Sequence, residues 1–365
     1  MTIDVASLMR PDVATLDPYT PILPFEVLSV QLRLPPEDIV KLDANENPYG
    51  PSPGVREALS TMPHPHIYPD PESRHLRAAL ADFTGVPMDL LLAGCGADEL
   101  IDLVMRLFVT AGDVIVNCPP TFGMYGFDAA VNRARLLSVP RRADFSLDVE
   151  AGVQAVAAEP RAKLFYVTSP NNPDGGLLDS DGLRRLLSLP VVGVLDEAYV
   201  EFAGLEHSRI GWVCDHENLI VLRTFSKWAG LAGLRVGYGA FPSRIIENLW
   251  KIKQPYNVSV AGQVAGLVSL RDRDYLWANV RRILAERERL VASLEEIPYL
   301  RPYPSHANFV LCRVVRGHAR TLRDALASSG ILIRYYDTPG LTDHVRFSIG
   351  GPEEMDRLIS ELREL

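Results

Sequence analysis

A lysine and an arginine, Lys227 and Arg235, lie in a stretch rich in small residues, Thr224-Phe-Ser-Lys-Trp-Ala-Gly-Leu-Ala-Gly-Leu-Arg235. A lysine amine can form a Schiff base with an aldehyde cofactor. Ser226 and Arg235 are residue types that bind phosphate, and the small residues between them let backbone pass close to a ligand. Pyridoxal phosphate is a cofactor that carries both an aldehyde and a phosphate. On this stretch alone, a glycine-rich turn with a solvated lysine stays open as the alternative.

A second candidate anion site follows the short apolar run at residues 90–93. The turn Gly94-Cys-Gly-Ala-Asp-Glu99 separates this run from a strongly periodic helical pattern at 100–108. A helix that starts after such a turn presents free N–H groups and the positive end of its dipole to an anion. The turn is neither Gly-x-Gly-x-x-Gly nor a P-loop, so it predicts a site for one phosphate and not for a dinucleotide.

Chemically useful side chains follow several other apolar runs. The runs at 113–117, 164–168, 191–195 and 219–222 are followed by these residues: Phe122, Asn172, Asp196, Tyr199, Ser226 and Lys227. The runs alternate with helical patterns, which predicts a mainly parallel sheet with helices on its faces. Ligands bind beyond the carboxyl ends of the strands in such sheets, so we expect these side chains to meet there. Phe122 would stack on a flat ligand there or pack in the core.

The sequence predicts three regions along the chain. Residues 1–52 form a proline-rich arm with a short helix near 26–33, which we expect to pack on the small domain or on a dimer partner. Residues 53–260 form a large ligand-binding domain, in which Ser73 caps a helix. Residues 261–365 form a smaller α+β domain that starts with long helices.

The predicted strand at 344–349 places one arginine on a face of its own. Val345 and Phe347 alternate with Arg346 and Ser348, so Arg346 lies on the face away from the core. From there it could reach a cleft or lie on the surface.

Composition excludes several classes of function. The net charge is 37 − 46 = −9, which argues against nucleic acid as the main partner. Four scattered cysteines indicate free thiols in a reducing compartment. No signal sequence and no apolar run of membrane-spanning length is evident, so we expect a cytoplasmic protein without a membrane contact. The pair His64 and His66 has no third ligand nearby, so we expect no metal site.

Three motifs together resemble the fold-type-I pyridoxal-phosphate aminotransferases. They are Ser-Pro-Asn-Asn-Pro at 169–173, Asp-Glu-Ala-Tyr at 196–199 and Ser-Lys-x-x-Gly-Leu-Ala-Gly-Leu-Arg at 226–235. The resemblance implies a mainly parallel seven-stranded sheet with helices on both faces, a smaller α+β domain, and pyridoxal 5'-phosphate as the cofactor.

Four more motifs resemble the histidinol-phosphate aminotransferase branch of that superfamily. These are Leu-Asp-Ala-Asn-Glu-Asn-Pro at 42–48, Tyr-Pro-Asp-Pro at 68–71, Gly-Ala-Asp-Glu at 96–99 and Pro-Thr-Phe-Gly-Met-Tyr at 120–125. Aromatic amino-acid aminotransferases of the same branch share part of this signal. The implied reaction is amino transfer between histidinol phosphate and 2-oxoglutarate, giving imidazole-acetol phosphate and glutamate, in histidine biosynthesis.

The resemblance also implies roles for the residues that match. Lys227 forms the Schiff base and moves the proton between the substrate and the cofactor. Asp196 keeps the pyridine nitrogen protonated, and Asn172 and Tyr199 bond the phenolic oxygen. With Lys227, Asp196 and Tyr199 form the expected catalytic set.

Further residues are expected at the two ends of the bound molecules. The cofactor phosphate is expected to bind the backbone N–H groups of Ala97 and Asp98 and the side chains of Ser226 and Arg235. Tyr68 of the neighbouring subunit is expected to bind the same phosphate, so the resemblance implies a homodimer with shared active sites. Phe122 stacks on the ring, where many relatives carry tyrosine. The candidates for substrate binding are Arg346, Arg334, Tyr19 and Asn45. Asp174 stands where the family usually has threonine, which adds a negative charge near the site.

Two other functions stay open on the sequence. Threonine-phosphate decarboxylase shares the same overall architecture and cofactor but catalyses another reaction. A pyridoxal-binding regulatory module would need a DNA-binding segment, and no basic helical segment is present in the sequence.

Overall fold

The protein is described by a computed structural model that covers residues 3–19 and 22–365. Residues 1, 2, 20 and 21, which belong to the predicted N-terminal arm, lie outside the described residues. The strands are β1 (Val40–Leu42), β2 (Leu91–Gly94), β3 (Val114–Asn117), β4 (Arg135–Ser138), β5 (Ala162–Thr168), β6 (Val192–Asp196), β7 (Leu219–Thr224), β8 (Gly237–Ala240), β9 (Leu300–Pro302), β10 (Phe309–Val314), β11 (Ile331–Tyr335) and β12 (His344–Ser348). The helices are α1 (Phe25–Leu32), α2 (Pro53–Ser60), α3 (Arg74–Thr84), α4 (Gly96–Phe108), α5 (Met124–Val131), α6 (Val149–Ala157), α7 (Ser180–Leu187), α8 (Val200–Ala203), α9 (Ser243–Ile252), α10 (Val260–Arg271), α11 (Arg273–Glu296), α12 (Ala319–Ser328) and α13 (Pro352–Glu364).

Seven of the described strands form a large sheet in the order β2-β8-β7-β6-β5-β3-β4. Only β8 runs antiparallel to its neighbours β2 and β7, and the other pairs are parallel. In β5, Leu164 and Tyr166 pack into one apolar core while Phe165 and Val167 pack into another. Both faces of the sheet are therefore buried under helices, as parallel sheets require. This confirms the predicted α/β fold with a mainly parallel seven-stranded sheet.

Five further strands form a smaller sheet in the order β1-β11-β12-β10-β9. β1, which belongs to the predicted arm, pairs in parallel with β11, and the other strands of this sheet pair antiparallel. The arm thus contributes an edge strand to the small sheet. The boundaries at residues 52 and 260 stay a prediction.

Two local details differ from the sequence predictions. Ser73 precedes α3, but its φ is +49° and its side chain makes no capping hydrogen bond. Asp70 takes that role, since its Oδ2 accepts from the N–H of Arg74 at 2.8 Å. Strand β8 was not predicted because its sequence, Gly-Tyr-Gly-Ala, lacks the β-branched residues that mark a strand.

Candidate active site

Lys227 lies just beyond β7, at the carboxyl edge of the large sheet. Its Nζ donates to the backbone oxygen of Ala44 at 3.2 Å. Burial, followed by the charge of Arg346, lowers the pKa of Lys227 to about 8. A lowered pKa leaves more of the amine neutral near pH 7, which is the form that attacks an aldehyde.

Asp196 is the last residue of β6, and only 3% of it is exposed. Its Oδ1 accepts from the N–H of Ala198 at 3.0 Å, and its Oδ2 accepts from the hydroxyl of Tyr125 at 2.6 Å. Burial raises the pKa of Asp196 to about 6, because removal from water penalises the carboxylate. A protonated ring nitrogen would compensate that penalty, so this carboxyl group suits a pyridinium partner.

The start of α4 and the loop after β7 form a concave surface that can bind an anion. Gly96 has a φ of +78°, and a Cβ on it would lie 2.3 Å from Nη2 of Arg235. A Cβ on Gly237 would lie 2.6 Å from the backbone nitrogen of Ala97. The hydroxyl of Ser226 accepts from Thr224 at 2.9 Å, so its own hydrogen can be donated to a ligand. These residues fit a phosphate group, which needs N–H and O–H donors at close range.

Asn172, Tyr199 and Phe122 lie around Lys227. Asn172 Oδ1 accepts from Nη1 of Arg346 at 2.5 Å. The buried hydroxyl of Tyr199 accepts from Nδ2 of Asn45 at 3.1 Å, and burial raises the pKa of Tyr199 to about 12. Tyr199 therefore keeps its hydrogen near neutral pH and can donate it to a phenolic oxygen.

Two cavities meet at Lys227. The first has a volume of about 620 Å³ and the second about 1130 Å³. Phe122, Asn172, Tyr199 and Lys227 line both. Nine of the ten residues predicted to bind the cofactor line the first cavity: Ala97, Asp98, Phe122, Asn172, Asp196, Tyr199, Ser226, Lys227 and Arg235.

All four predicted substrate-binding residues line the second cavity: Tyr19, Asn45, Arg334 and Arg346. Arg346 is not on the surface, since only 5% of it is exposed. Arg334 and Arg346 both lie near the ring of Tyr336, with guanidinium carbons 5.6 and 5.9 Å from the ring centroid. Two guanidinium groups in a cavity that Lys227 also lines make this cavity suited to an anionic substrate.

Tyr68 is the one predicted cofactor residue that lines neither cavity of its own chain. It is 78% exposed and stacks on Tyr256, with ring centroids 4.5 Å apart. Its predicted contact with a neighbouring subunit stays a prediction.

The sequence reasoning missed Tyr125, Thr168 and Tyr336 as residues of this site. Tyr125 and Thr168 are linked to Asp196 by hydrogen bonds, and Tyr336 lines the second cavity. Tyr125 ends the quoted motif at 120–125, but a motif match does not tell which residue a hydroxyl contacts.

Asp174 is buried and accepts two hydrogen bonds. Nδ2 of Asn171 and the N–H of Gly176 donate to it, the latter at 2.8 Å. Burial raises the pKa of Asp174, while the charge of Arg141 opposes that shift. The negative charge of Asp174 is thus stabilised by two hydrogen-bond donors and by the positive charge of Arg141.

Residues 3–19 and 22–365 contain neither a candidate metal cluster nor a candidate membrane-spanning helix. No group of three or more His, Cys, Asp or Glu side chains is arranged to hold a metal ion there. In the same part of the chain, every helix is too short or too polar to cross a membrane.

The family described as aminotransferase class I and II matches residues 37–362. The chain belongs to this family. Its sequence is 58% identical over 358 residues to the chloroplastic histidinol-phosphate aminotransferase of Nicotiana tabacum, covering 98% of this chain and 86% of the relative. It is 52% identical over 373 residues to the histidinol-phosphate aminotransferase of Roseiflexus castenholzii, covering both chains in full.

A solved structure of the same family has the same fold. The histidinol-phosphate aminotransferase from Sinorhizobium meliloti, in complex with pyridoxal-5'-phosphate, superposes with a TM-score of 0.90 at 31% identity. The match covers 98% of this chain and 97% of that one.

Proposed function

We propose that this chain is a pyridoxal-phosphate-dependent aminotransferase that transfers an amino group between histidinol phosphate and 2-oxoglutarate in histidine biosynthesis. One observation carries the proposal: Lys227 lies where a cavity built for a phosphate-bearing ring meets a second cavity that holds two arginines. The substrate follows from relatives that are 52% and 58% identical and are named for this reaction.

The first cavity holds the cofactor. The N-terminus of α4, Ser226 and Arg235 bind the phosphate, and Asp196 pairs with the ring nitrogen. Asn172 and Tyr199 donate to the phenolic oxygen, and Phe122 covers one face of the ring. When bound, pyridoxal phosphate supplies an aldehyde that condenses with amines and a ring that withdraws electrons from the substrate.

The second cavity holds the substrate, and Lys227 does the proton chemistry. Arg346 and Arg334 orient the anionic end, which is a phosphate in histidinol phosphate and a carboxylate in glutamate. Tyr19 and Asn45 lie on the walls of the same cavity. Lys227 Nζ takes the proton from the substrate's Cα as a general base, and the pKa of about 8 suits that role near neutral pH.

We also infer a homodimer in which Tyr68 completes the phosphate site of its partner. Two observations support this: Tyr68 is exposed and lines neither cavity of its own chain, and the N-terminal segment exposes apolar side chains such as Ile3, Leu8 and Val30. A reducing compartment such as the cytoplasm is part of the proposal, because the four cysteines are unpaired. The Nicotiana relative is named as chloroplastic, and a chloroplast is the competing location.

Steady-state kinetics test the reaction. Varying histidinol phosphate and 2-oxoglutarate together should give parallel double-reciprocal lines, the mark of ping-pong exchange, with glutamate formed in step with imidazole-acetol phosphate. Lys227→Ala should remove turnover. Release of carbon dioxide from O-phosphothreonine, with no glutamate formed from histidinol phosphate and 2-oxoglutarate, would instead indicate a decarboxylase.

A further inference from the structure

The carboxylate of Asp196 accepts from Tyr125, which is paired in turn with Thr168, and no part of the proposed mechanism uses these two hydroxyls. Tyr125 donates to Asp196 Oδ2 at 2.6 Å, and its oxygen lies 2.8 Å from Oγ1 of Thr168. Thr168 is the last residue of β5 and lies beside Asp196 in the sheet register. All three side chains are buried, so water cannot replace a lost contact within this group.

When Asp196 is ionised, the hydrogen bonds of this group have one donor order, from Thr168 to Tyr125 and from Tyr125 to Asp196. Tyr125 has one hydroxyl hydrogen and gives it to the carboxylate, so the 2.8 Å contact requires Thr168 to be the donor. Burial raises the pKa of Tyr125 far above its usual value, so the phenol keeps that hydrogen. Each donor is thus committed toward Asp196.

Thr121 is a second acceptor within reach of the Thr168 hydroxyl. Thr121 lies 3.3 Å from Thr168, the longest contact of the group. Thr121 donates instead to Asn171 Oδ1 at 3.0 Å, because both Nδ2 hydrogens of Asn171 point to Pro120 and Asp174. Thr168 lies 2.8 Å from Tyr125 and 3.3 Å from Thr121, so its hydrogen is assigned to the shorter contact with Tyr125.

We propose that Tyr125 and Thr168 are positioning residues that hold Asp196 ionised and fixed in orientation for the ring nitrogen of the cofactor. This rests on the role given to Asp196 in the proposed function. With the N–H of Ala198 on the other oxygen, the carboxylate has one donor on each side and cannot rotate without losing both. The two hydroxyls act through Asp196, and neither residue lines the second cavity, where the substrate is proposed to bind.

Cofactor titration tests the proposal without any substrate. Cofactor-free protein is titrated with pyridoxal phosphate for the wild type, Tyr125→Phe, Thr168→Val and Thr168→Ser. Loss of a buried hydrogen bond to a charged group predicts that Tyr125→Phe binds about 10- to 100-fold more weakly. Thr168→Val should weaken binding less, and Thr168→Ser, which keeps the hydroxyl, should bind like the wild type.

A neighbouring tyrosine offers a matched control. Tyr166 stacks on Tyr125 with ring centroids 4.8 Å apart and is equally buried, but its hydroxyl donates to the backbone of Ile101. Tyr166→Phe should leave the affinity for pyridoxal phosphate within about twofold of the wild type. An equal loss in Tyr125→Phe and Tyr166→Phe would mean a general packing effect and would overturn the proposal.

Two further measurements separate positioning from packing. In the Tyr125→Phe background, Thr168→Val should weaken the binding of pyridoxal phosphate by a further factor of less than about two, since Thr168 acts through Tyr125. An analogue with carbon in place of the ring nitrogen should bind wild type and Tyr125→Phe alike. The proposal would be contradicted if the losses of affinity from Tyr125→Phe and Thr168→Val multiply in the double variant. It would also be contradicted if Tyr125→Phe weakens binding of the analogue as much as it weakens binding of pyridoxal phosphate. The choice of substrate does not enter, so histidinol phosphate can fail as a substrate while this result stands.

Discussion

Arg346 donates to Asn172 Oδ1 at 2.5 Å and to the backbone oxygen of Asp43 at 2.8 Å. Arg346 belongs to β12 of the small sheet, and Asn172 lies in the loop after β5 of the large one. One guanidinium group therefore joins the two sheets at the point where the two cavities meet.

Replacing this arginine should impair binding of both amino substrates. Arg346→Lys offers a single ammonium that cannot make both contacts and still pair with an anion. We expect KM for histidinol phosphate and for glutamate to rise by about tenfold or more, since a charge-assisted contact is lost. Arg301→Lys, an exposed change in strand β9 of the same sheet, is the matched control. Unchanged KM values would remove Arg346 from the substrate site.

Tyr336 is expected to contribute to recognition of the phosphorylated substrate. Its buried hydroxyl has no hydrogen-bond partner among the described residues, and its ring lies close to the guanidinium groups of both Arg334 and Arg346. A phosphate has three terminal oxygens, and the unpaired hydroxyl is a donor for one of them. Tyr336→Phe should raise KM for histidinol phosphate about tenfold with little change in kcat.

The adjacent tyrosine serves as its control. Tyr335 lies next in the chain but faces Arg320 and Arg323 rather than the cavity. Tyr335→Phe should leave KM unchanged. Equal effects of the two substitutions would show that the hydroxyl of Tyr336 does not bind substrate.

Tyr68 is expected to work in the partner subunit. Lys227→Ala and Tyr68→Ala chains should each have little activity when prepared alone. A mixed dimer would contain one site with both an intact Lys227 and an intact Tyr68 from the other chain. After subunit exchange, random pairing should restore about a quarter of the wild-type activity. If mixing restores nothing, Tyr68 does not complete its partner's site.

Glu201 should make stability depend on pH. Both its carboxylate oxygens are buried without a hydrogen-bond partner in the described chain, and burial raises its pKa from 4.5 to about 7. The pKa of Glu201 is higher in the folded state than in the unfolded state. The contribution of Glu201 to the free energy of unfolding is therefore greatest below pH 4.5 and is lost as pH rises through 7. The shift of 7 − 4.5 corresponds to about 3 kcal/mol.

Urea unfolding of the cofactor-free protein at pH 5 and pH 8 measures this effect. The wild type should lose more free energy of unfolding between the two pH values than Glu201→Gln, whose side chain does not titrate. The exposed Glu206→Gln should behave like the wild type. Equal slopes for Glu201→Gln and the wild type would contradict the assignment.

The sequence predicted much of this arrangement because parallel strands bring their carboxyl ends to one edge. Asp196 and Lys227 could be placed there from the apolar runs that precede them. The burial of Arg346 could not be predicted, because strand alternation identifies a face but not what packs against it. The contact of Tyr125 with Asp196 joins residues of different elements, which no local pattern encodes.

A half-reaction tests the central claim most directly. The cofactor-loaded protein is mixed with histidinol phosphate in the absence of an oxo-acid, and the visible absorbance of the bound cofactor is followed. We predict loss of that band as the amino form of the cofactor appears, with histidinol phosphate preferred over phenylalanine by about a hundredfold, roughly 2.7 kcal/mol of discrimination. No change with histidinol phosphate, together with conversion by phenylalanine or tyrosine, would contradict the proposed substrate.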